Sequence, residues 1–136
     1  MGVALAQLMR NAGQARTTFE DSLTKEYREI IRKIPYKALV GDEVTDEEKD
    51  KAFNEIFNYM DICNEQIFLR MAGRIRKNTW SNWQEGMKTN FSTPIFKLVS
   101  KDVFEKVEDN FRELKKVQEL KYNTDPRKWK IGITSQ

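Results

Sequence analysis

The segment from Phe53 to Met71, FNEIFNYMDICNEQIFLRM, constrains the fold most, because eleven of its nineteen residues are apolar. Most of these residues follow steps of three and four, the spacing of one face of an α-helix: Phe53, Ile56, Phe57, Met60, Cys63, Ile67 and Met71. Tyr59, Ile62 and Leu69 lie off that face. An apolar surface that extends past one face predicts a central helix packed on several sides.

The ends of this central helix carry their own signals. Thr45 and Glu48 form a Thr-x-x-Glu capping box, and Asp46, Glu47 and Glu48 place negative charge at the positive end of the helix dipole. Gly73 is a typical helix stop. The sequence therefore predicts a helix over about residues 46–72.

Length and composition favour further helices around it. A chain of 136 residues forms one domain, and a charged fraction of 33% with only 6 Gly and 3 Pro suits amphipathic helices. We predict an all-α fold: a compact bundle of four or five helices around the central helix, with a long first helix and an irregular C-terminal tail.

The domain organisation follows from where the apolar pattern weakens. Residues 1–18 are predicted as a helical extension, residues 19–121 as the bundle domain and residues 122–136 as the irregular tail. Leu5, Leu8, Ala12 and Ala15 recur at helical spacing in the extension, and Gly13 predicts a break there. Two interpretations stay open: an extension that is frayed or that a partner orders, or a coiled-coil or membrane-proximal segment.

Later elements show the same helical spacing. Trp80, Trp83, Met87 and Phe91 share one face of a helix that Asn78 or Thr79 would cap. Thr93-Pro94 marks the start of the next helix, which continues to about residue 120 with a kink predicted near Ser100.

Missing residue types limit the chemistry. The chain has no histidine and a single cysteine, Cys63. These two facts exclude catalytic sites built on Ser-His or Cys-His pairs and zinc sites built from the usual His and Cys ligands. No glycine-rich phosphate loop or EF-hand spacing occurs. Asp61 and Glu65, one helical turn apart, would suit Mg²⁺ or Mn²⁺, but no second acidic helix matches them, and pairing with arginines is the expected role. We expect no cofactor, no metal, no small-molecule substrate and no enzymatic activity.

Two groups of residues are candidates for specific roles. The amide of Asn64 lies beside the buried face of the central helix, which predicts a structural hydrogen-bonding role in the core. Candidate interaction residues form the basic corner (Arg70, Arg74, Arg76 and Lys77), with Trp129 in the tail as a further candidate. Cations close to aromatic residues suit phosphate or single-stranded nucleic acid, although the same arginines also suit the carbonyl end of the central helix.

The charge is unevenly distributed. Residues 1–68 hold 9 Lys/Arg and 13 Asp/Glu, whereas residues 69–136 hold 15 and 8. The basic second half would suit nucleic acid or an anionic membrane surface, or it would simply neutralise the acidic half after folding. No stretch approaches the roughly 18–20 apolar residues of a membrane span, and no secretory signal pattern is present, so we expect a cytoplasmic protein.

The segment DICNEQIFLRMAGRIRKNTWSNWQEGMKTNF, with EYREIIRKIPYKALVGDE before it and DPRKW after it, resembles small helical bacterial proteins of unknown function. The resemblance covers about residues 25–130 and lies in an acidic-amide-aromatic helix, a Gly-x-Ile turn and a Trp-rich short helix. It implies a helical fold, and it implies no activity for any residue of this chain.

Together these observations predict a non-catalytic helical protein-interaction module or adaptor that self-associates through its first helix or binds another protein. The alternative is a small nucleic-acid-binding or regulatory protein that uses the basic second half.

Overall fold

A computed structural model of the chain describes the backbone of residues 2–129 and the side chains of residues 5–107 and 109–129. This part of the chain contains helices and no strand, which confirms the all-α prediction. The six α-helices are α1 (Gly2–Lys33), α2 (Tyr36–Val40), α3 (Asp46–Met71), α4 (Lys77–Phe91), α5 (Pro94–Lys106) and α6 (Arg112–Glu119). Two 3₁₀-helices span Glu108–Phe111 and Pro126–Lys128. None of the helices within the described residues is both long and apolar enough to cross a membrane.

Helix α3 is the centre of the bundle and contacts every other helix. Its buried side chains include Ile56, Met60, Cys63 and Ile67, all from the predicted apolar face. Phe57 differs from that prediction, since 41% of it is exposed. Its ring lies at the edge of the core and meets the ring of Phe111 edge-on at 5.6 Å.

The predicted capping box sets the start of α3. The Thr45 hydroxyl accepts a hydrogen bond from the Glu48 backbone N–H at 3.1 Å, and the Thr45 N–H donates to the Glu48 carboxylate at 2.9 Å. These contacts lower the pKa of Glu48. At the other end, Gly73 has a positive φ of 74°, and the N–H of Arg74 bonds back to the carbonyl of Leu69.

Helix α1 is one continuous helix, so the predicted break at Gly13 is wrong. Glycine in a helix costs only about 1 kcal/mol, and the alanines on either side favour helix most strongly of all residues. Its second half packs along α3, where Leu23 is buried. Residues 5–18 are exposed except for the half-buried Gly13, and we call this segment the free half of α1.

The last predicted helix is divided at a different place from the one expected. Ser100 lies inside α5, and the chain instead leaves the α-helical path at Val107, where φ is −134° and ψ is 47°. The 3₁₀ turn Glu108–Phe111 then leads into α6. The division allows α5 and α6 to contact α3 separately.

The beginning of the tail is docked on the bundle. Lys121 and Tyr122 both have positive φ, which turns the chain sharply after α6. The ring of Tyr122 then stacks on that of Phe91, with the planes 8° apart. The indole N–H of Trp80 donates to the carbonyl of Thr124 at 2.9 Å, which fixes the tail against α4. Tail residues 130–136 lie outside the described residues.

Candidate interaction surfaces

Arg70, the first residue of the basic corner, is held by contacts within the chain. Its guanidinium makes a two-pronged ion pair with Asp125, at 2.8 and 2.9 Å, and donates to the carbonyl of Ile75 at 2.8 Å. The side chains of Arg70 and Asp125 are only 11% and 15% exposed. The hydrogen bonds from Arg70 lower the pKa of Asp125, whereas those to Asp125 raise the pKa of Arg70. Arg70 therefore joins the end of α3 to the tail.

Arg76 is likewise engaged, through its backbone and its side chain. Its N–H donates to the carboxylate of Glu20 at 2.7 Å, and its guanidinium donates to the carbonyl of Gly13 at 2.8 Å. Glu20 is only 4% exposed, and it also accepts from the Thr79 hydroxyl at 2.7 Å. This carboxylate on α1 therefore caps the start of α4. Helix α4 begins at Lys77 after the N-cap residue Arg76, so the prediction that Asn78 or Thr79 caps it is wrong.

Arg74 and Lys77 are exposed. The guanidinium of Arg74 lies over the ring of Phe19 at 5.2 Å, a cation–π contact that leaves its charge at the surface. The structure thus divides the basic corner into two residues that hold the fold together and two that face solvent.

Asn64 lies at the junction between α5 and α6, and it is 8% exposed. Its amide nitrogen donates to the carbonyl of Asn110 at 3.2 Å, and its amide oxygen accepts from the N–H of Leu114 at 3.1 Å. Leu114 is in the first turn of α6, where backbone N–H groups have no partner within the helix. Asn64 therefore supplies the missing acceptor from α3.

Trp129 is half-buried on the surface of the bundle. Its indole N–H donates to the hydroxyl of Thr124 at 2.9 Å, and the ammonium of Lys116 lies 4.3 Å from the ring centre. The ring is thus docked on its own chain, with part of its surface accessible.

The carboxylates and the thiol of α3 occupy different environments. Asp61 and Glu65 are exposed, and the pKa of Glu65 is raised by partial burial and by repulsion from Glu26 and Asp61. Within the described part of the chain, no group of three or more His, Cys, Asp or Glu side chains could hold a metal ion. Cys63 is fully buried, and burial raises the pKa of its thiol well above the ordinary value.

The most exposed apolar side chains of α1 lie on its free half. Leu5, Leu8 and Met9 are 60%, 66% and 67% exposed. Their face continues the line of Phe19 and Leu23, which pack into the bundle. This half extends past the end of α3. Arg74 and Arg76 follow that helix in the chain, and they already contact Phe19 and Gly13 of α1.

The other side of the free half is polar. The guanidinium of Arg10 donates to Gln7 at 2.8 Å, and the amide of Gln7 donates to Asn11 at 3.3 Å. A helix with one polar and one apolar face is expected to bury the apolar one. The sequence predicted an extension here, and the structure adds that its apolar face is exposed.

Comparisons of the chain with protein-family models, with curated proteins and with solved structures gave no match.

Proposed function

We propose that this chain is a non-catalytic helical interaction module, and that its partner at the free half of α1 is a second copy of itself. The observation that carries the proposal is the exposure of Leu5, Leu8 and Met9 on a helix that extends past the end of α3. Burying one such side chain contributes roughly 1.5–3 kcal/mol, so a partner that covers this face would be bound favourably.

A second copy suits the face better than a lipid surface does. The free half contains no aromatic residue, whereas helices that lie on membranes commonly insert Trp or Phe and carry a row of Lys and Arg. Its cations are Arg10 and Arg16, and Arg16 adjoins the apolar face. Alanines at positions 12 and 15 let another helix approach closely.

The alternative function, nucleic-acid or anionic-surface binding, has narrower support. Arg10 and Arg76 line the same open groove beside Gly13, and Arg74 and Lys77 are exposed nearby. Arg70 and Arg76 are engaged in hydrogen bonds within the chain. Such binding would weaken steeply with added salt, because it releases counterions from the phosphates.

The test measures solution mass by light scattering over a range of protein concentrations, at low and at high salt. We expect a mass approaching twice the monomer's 16.1 kDa at high concentration in both salts. The double variant Leu5→Gln/Leu8→Gln should be monomeric, with its dissociation constant raised at least about a hundredfold, because each leucine contributes roughly 1.5–3 kcal/mol.

The matched control is Gln14→Ala, which changes the polar face of the same helix and should leave the mass unchanged. Circular dichroism verifies that both variants remain helical. A native chain that stays monomeric at every concentration would refute self-association. Salt-sensitive binding to nucleic acid or anionic vesicles by that monomer would favour the alternative.

A further inference from the structure

The free half of α1 carries a size pattern on its apolar face. Two large residues, Leu5 and Leu8, are followed by two small ones, Ala12 and Ala15. Leu5 and Ala12 are seven residues apart, as are Leu8 and Ala15, so all four positions follow the heptad spacing of a coiled-coil seam. All four side chains are exposed.

A second copy of this seam complements the first when the two helices run antiparallel. In an alignment that is symmetric about residue 10, Leu5 lies opposite the alanine at position 15, and Leu8 lies opposite the alanine at position 12. Every layer then holds one large and one small side chain, which fills the space between the helices evenly. A parallel alignment would instead pair leucine with leucine in two successive layers and alanine with alanine in the next two, which leaves the alanine layers underfilled.

Charge favours the same orientation. In the antiparallel alignment the two copies of Arg16 are about 18 Å apart along the helix axis, beyond the roughly 8 Å screening distance at physiological salt. Arg10 is at the centre of the alignment but on the polar face, where it donates to Gln7. A parallel pair would place both copies of Arg16 at the same level beside the seam.

The position of the helical bundle is also compatible with an antiparallel contact between the two free halves. The proposed contact covers residues 5–15, and the bundle begins at Phe19, which is covered by Arg74. The two bundles therefore lie at opposite ends of the helix pair. Arg76 contacts this segment at the carbonyl of Gly13, which is not one of the four seam positions.

We infer that two copies of the chain form a closed two-fold dimer through an antiparallel contact of residues 5–15, with Leu5 and Leu8 packed against Ala15 and Ala12 of the second copy. This inference rests on the proposed self-association and specifies its geometry. The two-fold axis passes near residue 10, and the same surface of both copies is used.

Disulfide mapping in the full chain tests the register. The variants Leu5→Cys and Ala15→Cys are prepared separately, mixed in equal amounts, oxidised gently and analysed by mass. Opposed positions approach within disulfide range, whereas two copies of position 5, or two of position 15, are about 15 Å apart along the axis. We expect the mixed disulfide in the combined sample, several times more abundant than any disulfide formed by either variant alone.

Two controls define the background. The native chain, whose Cys63 is fully buried, should form no covalent dimer. The pair Gln7→Cys and Gln14→Cys is on the polar face and should also give none. Light scattering on each variant shows whether the non-covalent dimer is retained.

The outcomes separate the register from the proposed function. Covalent dimers of Leu5→Cys with itself and of Ala15→Cys with itself would overturn the antiparallel arrangement while leaving self-association intact. A dimer in light scattering without a mixed disulfide would also overturn the register. A native chain that is monomeric at every concentration would overturn both.

Discussion

Gln66 and Asn64 are two buried amides on α3 that differ in their hydrogen bonding. Gln66 is 2% exposed, and its amide nitrogen has no hydrogen-bond partner among the described residues. Burying an unpaired amide costs roughly 1–3 kcal/mol. We expect Gln66→Met, which keeps the length of the side chain and removes the polar atoms, to raise the free energy of unfolding by about 1 kcal/mol in urea denaturation.

Asn64→Leu is the matched comparison on the same helix. It would leave the N–H of Leu114 and the carbonyl of Asn110 without their partners, so we expect it to lower the free energy of unfolding by about 2 kcal/mol. If Gln66→Met were as destabilising as Asn64→Leu, the Gln66 amide would have to contribute to stability, contrary to this account.

The sequence placed the amide of Asn64 beside the buried face of α3 but could not show which groups surround it. Asn58 is exposed and bonds to Glu55 in the same helix, whereas Asn64 bonds to backbone atoms 46 and 50 residues away. Periodicity places a residue on a helix face. It carries no information about which distant backbone group meets that face.

At the scale of the helices, α1 provides a cap for the start of α4. The Glu20 carboxylate accepts from the Arg76 N–H and from the Thr79 hydroxyl. Hydrogen bonds to charged groups contribute roughly 1.5–3 kcal/mol, so we expect Glu20→Ala to lower the free energy of unfolding by about 2–3 kcal/mol. Glu20→Gln should cost less, because its amide oxygen can still accept one of these bonds.

The control for this cap is Asp21→Asn, at the neighbouring but exposed acidic residue, which should change stability little. Hydrogen exchange of the Arg76 amide gives a local measure and should speed up in Glu20→Ala. Equal stability of Glu20→Ala and Asp21→Asn would show that α4 does not need the carboxylate.

Sequence signals predicted the helix ends correctly where the capping residues are close in sequence to the helix end. The Thr45–Glu48 box and the Thr93-Pro94 start are both present, because each depends on residues within a few positions. The start of α4 and the division between α5 and α6 were misplaced, because Glu20 and Asn64 stabilise them from helices distant in sequence.

Across the whole molecule, the Arg70–Asp125 pair connects the central helix to the tail over 55 residues of chain. Its hydrogen bonds keep the pKa of Asp125 below the value of about 3.9 expected in the unfolded chain. A carboxyl group with a depressed pKa in the folded state stabilises the fold above its unfolded pKa. That stabilisation is lost as the pH falls through the folded pKa.

We therefore expect Asp125→Asn to lower the free energy of unfolding by about 2 kcal/mol near neutral pH. The difference from the native chain should shrink below about pH 4, because protonation then removes the same charge from the native chain. Urea denaturation at a series of pH values measures this directly. Hydrogen exchange in residues 122–129 should also increase in the variant, since their anchor is weakened.

The exposed ion pair Arg112–Asp109 provides a control that distinguishes the effect of Asp125→Asn from a general loss of negative charge. The Asp109 side chain is 90% exposed, and solvent-exposed ion pairs contribute little to stability. Asp109→Asn should therefore leave stability nearly unchanged at every pH. If Asp125→Asn behaved in the same way, the tail would be held by its aromatic contacts, such as the stacking of Tyr122 on Phe91, rather than by the ion pair. A pH-dependent loss confined to Asp125→Asn would instead identify the ion pair as the link between the tail and α3.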